Sequence, residues 1–109
     1  MLTEKQVVEL YQEGIDVRLN KFRRRPGPEG LIGEYNSMNL EVILYMNMIK
    51  SEKEFGITLL HEFIHARNDI LLEKDRDNDK KVEEEAKETY ERRPGVVGMI
   101  MAIYGITYK

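Results

Sequence analysis

Cysteine and tryptophan are both absent from this chain of 109 residues, and histidine occurs only twice. Without cysteine there are no disulfides and no thiolate metal sites, so any metal must be held by imidazole and carboxylate. Proline is scarce as well, and two of its three residues fall in Pro26-Gly27-Pro28-Glu29-Gly30, which reads as a turn. Long apolar runs are missing: the longest uncharged stretch, Pro94 to Tyr108, has 15 residues, where a membrane span needs about 20. The opening MLTEKQVVEL lacks the basic-then-apolar order of a signal peptide. A cytoplasmic chain with no membrane partner is therefore expected. Charge of one sign is also in short supply, since the net charge is only -3. The single basic cluster, Arg23-Arg24-Arg25, abuts the turn and reads as a solvated loop edge, so no nucleic-acid partner is expected.

Hydrophobic residues make up 41% and charged residues 34%, the balance of a globular protein, and the length suits one domain, residues 1–109. Thr3 and Gln6 form a capping box ahead of a helical stripe, Val7, Val8, Leu10 and Tyr11, which Gly14 stops. From Ile15 the period shortens: Ile15, Val17 and Leu19 alternate with Asp16, Arg18 and Asn20, as in a strand. Second and third strands are expected over Leu31–Tyr35 and Leu40–Met46. Ser51 and Glu54 form another capping box, opening a helix to about Leu71. The segment Glu73 to Lys81 reads as an exposed connector. Asp79 is the expected cap of a helix from about Lys80 to Arg92, ended by Pro94. The expected fold is α+β: an N-terminal helix, a small three-stranded sheet, two further helices and an apolar C-terminal segment.

Both histidines lie in His61-Glu62-Phe63-Ile64-His65, an HExxH pattern inside the third-quarter helix. Positions i and i+4 of a helix share a face, so two imidazoles there can reach one ion. Glu62 lies about 100° round the helix, free to act as a base towards a metal-activated water. On a helical wheel Phe55, Ile57, Leu59, Leu60, Phe63 and Ile64 fill the core-facing arc, and both histidines fall outside it. Hydrolytic zinc needs a third protein ligand and an open position. Without further His or Cys, that ligand must be Asp or Glu, and Glu83-Glu84-Glu85 offers the candidates. Val82, Ala86 and Tyr90 mark the inward face of their helix, which favours Glu83 with Glu85 in reserve and turns Glu84 away. Imidazole and carboxylate would also suit Co, Ni or Fe.

The string Ile57 to His65 followed by Glu83-Glu84-Glu85-Ala86 resembles the gluzincin metallopeptidases, whose HExxH helix is followed by a glutamate helix. In length and strand order the chain is most similar to the minigluzincins, soluble relatives of the catalytic domains of integral-membrane peptidases. The resemblance spans about Leu40 to Tyr90. It implies one zinc ion per chain on His61, His65 and Glu83, with Glu62 as general base and acid, and hydrolysis of peptide bonds in peptides or unfolded proteins. It also implies that Glu41 to Met46 is an edge strand pairing with substrate, which would place Val42, Leu44 and Tyr90 at the substrate. Latency is implied too, with Gly95 to Lys109 covering the cleft or swapping across a homodimer. Two positions depart from the family pattern: Ile64, where many relatives have Gly, and Lys87, where many have Asp or Asn. Asp69 is then the candidate to support a histidine. Tyr90 and Arg93 are the candidate oxyanion donors, with core filler and helix-end charge as their plainer readings. The alternatives are a zinc-binding regulatory or interaction module without turnover, for which Glu62 would be dispensable, and a metal-free helical adaptor.

Overall fold

Thr3 accepts the backbone N–H of Gln6 at 3.2 Å while the Gln6 side chain accepts that of Thr3 at 3.1 Å, closing the capping box that opens α1 (Glu4–Gln12). Gly14 ends the turn after α1 at φ 94, a left-handed value that favours glycine. The computed structural model describes residues 1–21, 32–74 and 78–108. The expected turn at 26–30 and the arginines at 23–25 lie outside the described residues.

Three strands follow: β1 (Asp16–Asn20), β2 (Gly33–Asn36) and β3 (Glu41–Tyr45). They form one mixed sheet in the order β1-β3-β2, with β3 parallel to β1 and antiparallel to β2. The expectation of an edge strand at Glu41–Met46 is thereby corrected. Its side chains explain why β3 is central: Val42, Ile43 and Leu44 run without a polar interruption, and all three are buried. A strand apolar on consecutive residues must be covered on both faces and paired on both sides. Val42 and Leu44 are core residues, not a substrate-facing surface. The edge beside the helices is β2.

A short 3-10 turn, Met46–Met48, leads to α2 (Glu52–Ile70), capped by Ser51. This helix is the centre of the molecule. One side packs on β2 and β3 and another on α3 (Asp79–Arg92), while α4 (Pro94–Tyr104) closes the core against α1, α2 and α3. Phe55, Leu59, Leu60, Phe63 and Ile64 are fully buried, as their arc requires.

The cap of α3 is Asn78, which accepts the Lys81 N–H at 2.9 Å. Asp79, expected to be the cap, is instead the first helical residue, and its carboxylate is left to point elsewhere. Of the segment expected to cover the cleft or swap across a homodimer, Pro94–Tyr104 forms α4, with Val96 and Ile100 fully buried. Tyr104 donates to the Ile15 carbonyl at 2.6 Å and sets its ring edge-on to Phe63. The uncharged helix and Tyr108 after it pack their apolar side chains on the core, on the flank of α2 carrying Phe55 and Phe63.

Candidate metal centre

Helix α2 presents His61 and His65 one turn apart, with ring centroids 5.0 Å apart. Both lie outside the apolar arc, as the wheel requires. His61 is nonetheless only 6% exposed, because α3 packs over it. The approach of the two helices is permitted by Gly56, whose position is filled by the ring of Tyr90. Tyr90 is thus interhelical packing, the plainer of its two readings. Arg93 binds Glu4 at 3.2 Å, at the junction of α3 and α4, and so also serves the fold.

The histidines meet two carboxylates of α3. Asp79 Oδ1 lies 3.0 Å from His65 Nε2 and 3.3 Å from His61 Nε2, and Glu83 Oε1 lies 2.9 Å from His61 Nδ1. Asp79 and Glu83 are one turn apart on the same face of α3, which is why a single helix reaches both sides of the His61 ring. Glu85, the reserve candidate, is held elsewhere, by the two terminal guanidinium nitrogens of buried Arg67. Glu84 is exposed. Asp69, the candidate support for a histidine, accepts the hydroxyl of Tyr35 at 2.7 Å.

Asp79 was not legible as a ligand candidate from the sequence. A residue of its type at a helix start is expected to cap, and only the preceding Asn78, itself a strong cap, hinted that the role was taken. Its spacing of four from Glu83 was the one usable signal.

Both ring nitrogens of His61 face carboxylate oxygens, an arrangement fully satisfied only by the doubly protonated ring. Burial lowers the pKa of His61, but the bond to Glu83, the charges of Glu62 and Glu83 and the bond to Asp79 together raise it above 6.5. Glu83 is held below the usual carboxylate range chiefly by its bond to His61. Asp79 loses some solvation, which acts upward, yet its bonds to His65 and His61 bring it down overall. Glu62 behaves oppositely. Burial pushes its carboxyl up to about 7, with the nearby imidazoles opposing the rise.

The donor set suits a metal ion. Nitrogen atoms of His61 and His65 and an oxygen of Asp79 lie within 4.8 Å of one another, and a mixed imidazole–carboxylate set fits divalent transition ions. Glu83 on Nδ1 would fix the His61 ring with Nε2 facing the centre, the usual role of a carboxylate behind a metal-binding histidine. His61, Glu62, Asp79 and Glu83 share one open cleft of about 600 Å3, walled by Ile32, Ile57 and Thr58. No residue of α4 lines it. Among the described residues no helix is long and apolar enough to cross a membrane. Comparison of the chain with family models, curated proteins and solved structures found no match.

Proposed function

We propose that the chain is a zinc-dependent peptidase of gluzincin type. The observation that carries this reading is the convergence of two imidazole Nε2 atoms on one carboxylate oxygen, that of Asp79, with a second acidic side chain, Glu62, buried beside them. His61 and His65 would hold the ion with Asp79, whose oxygen lies within 4.8 Å of a nitrogen of each. Such an ion would supply a Lewis acid for the scissile carbonyl and would acidify a water towards a pKa of about 7.

The remaining steps belong to side chains. Glu62, with its pKa near 7, accepts a proton at a carboxylate oxygen and returns it to the leaving amine. A buried carboxyl poised near neutrality is suited to both directions of that transfer. Glu83 keeps His61 oriented. An extended peptide would add beside β2, the outer strand of the sheet among the described residues, at the rim where Ile32 already lines the cleft.

The test pairs metal analysis with hydrolysis of an unfolded fluorescent peptide. Wild type should carry about one zinc ion per chain, and Glu62→Gln should keep the metal while losing hydrolysis by about 100-fold or more. Equal hydrolysis by both would reject Glu62 as the base. Metal binding without hydrolysis under any condition would favour a zinc module without turnover.

A further inference from the structure

Building on the peptidase reading above, we propose that the cleft selects peptides with a carboxylate a few residues from the scissile bond, held by Lys53 and Lys87. The acids that line the cleft are already engaged. Asp79 is bonded to both histidines, Glu83 to His61 Nδ1 and Glu54 to the Lys50 N–H at 2.7 Å, while Glu62 is only 4% exposed. The cleft also has three lysines, Lys53, Lys80 and Lys87, and all of them are exposed. Among the described residues only Lys87 of these three has an ion-pair partner, Glu83 of its own helix at 3.9 Å. On a chain of net charge -3, a rim of lysines is a local feature of this cleft.

Helix spacing fixes where that charge lies. The meetings of His65 with Asp79, His61 with Glu83 and Gly56 with Tyr90 show that α2 and α3 run antiparallel. Lys87, one turn beyond Glu83, therefore stands level with Ile57. Lys53, Ile57 and His61 follow one another at every fourth position, on one face of α2. At about 1.5 Å per residue, Ile57 is about 6 Å and Lys53 about 12 Å along the groove from His61. An extended peptide advances about 3.3 Å per residue. A residue beside the scissile bond would then lie on the apolar wall of Ile32 and Ile57. A carboxylate about two to four residues from that bond would reach between Lys53 and Lys87. Lys80, next to Asp79 at the other end, extends the positive rim and favours the approach of acidic peptides. An Asp or Glu side chain and a C-terminal carboxylate present the same group to the two lysines.

The experiment measures binding apart from hydrolysis, by fluorescence anisotropy on the full chain carrying Glu62→Gln and incubated with zinc. Three short labelled peptides share one otherwise neutral sequence. The first has a central Glu and an amidated end, the second Gln in its place and a free C-terminal carboxylate, and the third Gln and an amidated end. A carboxylate peptide should bind about fivefold more tightly than the neutral one, the scale of a pair of exposed ion pairs. Preference for the first peptide upholds the proposal with a side chain as the source, and preference for the second upholds it with the chain end. Lys53→Ala and Lys87→Ala should each reduce the preference, and the double variant should abolish it. Lys53→Glu, which alters no partner of the histidines, should reduce it further than Lys53→Ala. Equal binding of all three peptides, or a preference that survives the double variant, would overturn the proposal. Preference in binding without hydrolysis by wild type would uphold the carboxylate subsite while rejecting the peptidase. Hydrolysis of all three peptides at equal kcat/KM would uphold the peptidase while overturning the subsite.

Discussion

The ring of Tyr90 fills the space beside Gly56 so closely that a methyl group there would come within 2.5 Å of its Cε1. In an ordinary helix interior, Gly→Ala stabilises by about 0.5–1 kcal/mol. At this position overpacking, at about 1–3 kcal/mol, acts against it. Gly56→Ala should therefore be destabilising by about 1 kcal/mol in urea denaturation, and Gly56→Ala with Tyr90→Leu should recover part of the loss. A more stable single variant would show that α2 and α3 do not need this close approach.

Stability of the metal-free chain should fall as pH rises from mildly acidic to alkaline. His61 has its folded pKa above 6.5, so its contribution is present below 6.5 and is lost as pH rises through the folded value. Glu62 has its folded pKa near 7 against 4.5 unfolded, so keeping it buried becomes unfavourable between those values. That penalty reaches up to about 3 kcal/mol at pH 8. Glu62→Gln should then raise the melting temperature of the metal-free chain at pH 8 and have little effect at pH 4.5. An equal effect at both values would contradict the burial of an ionisable group there.

Zinc affinity should decline as pH falls through the titration of His61, because proton and metal compete for the same Nε2. Asp79 and Glu83 are held below 3.8 and 4.5 and remain ionised across that range. Glu83→Gln removes the largest influence raising the His61 pKa, so the pH at which affinity is lost should move down. Competition with a chromogenic chelator between pH 5 and pH 8, at values of about half-unit spacing, checks this. An unmoved midpoint would mean that Glu83 does not govern the ring.

Glu85→Gln should weaken the fold and spare the metal. Its carboxylate pairs with Arg67, which is 7% exposed, and removing one partner of such a pair costs on the order of 3 kcal/mol. Metal content unchanged beside a lowered denaturation midpoint is the expected outcome. Loss of metal with stability unchanged would return Glu85 to the ligand set.

Truncation after Arg93 should unfold the chain and yield no activated peptidase. It removes Val96 and Ile100, both fully buried, and the Tyr104 bond to Ile15. The milder Ile100→Ala should cost about 2–5 kcal/mol. A truncated chain that stays folded, by circular dichroism, and hydrolyses faster would reinstate the C-terminal segment as a latch.

The elements with strong local signals were legible in the sequence. The capping box at Thr3, the cap at Ser51, where Glu54 accepts the Lys50 N–H and leaves the expected box open, and the apolar arc of α2 placed two helices to within a residue or two. His61 and His65 were found by spacing alone. What could not be read was long-range: whether β3 was edge or centre depends on partners, and its unbroken apolar run was the clue available. The C-terminal segment likewise carried a helix-starting Pro94 and a left-handed Gly105 end, but the four glycine and β-branched residues directly after Pro94, Gly95 to Gly98, masked the helix until packing supplied its stability. Asp79 was obscured for a different reason, since two adjacent residues competed for one cap and the sequence does not say which wins.

The order of the strands also has a consequence in time. β2 and β3 are joined by the short turn at residues 37–40 and pair from Asn36 with Glu41 outward, so their ladder can form by local closure. β1 must instead find β3 across the whole intervening hairpin, Asp16 meeting Glu41 in parallel, which is the slower kind of encounter. The sheet is thus assembled as a hairpin to which a strand is later docked. Pulsed amide exchange during refolding should protect Ile43, whose N–H faces β2, before Arg18, whose N–H faces β3, and simultaneous protection would indicate that the three strands condense together.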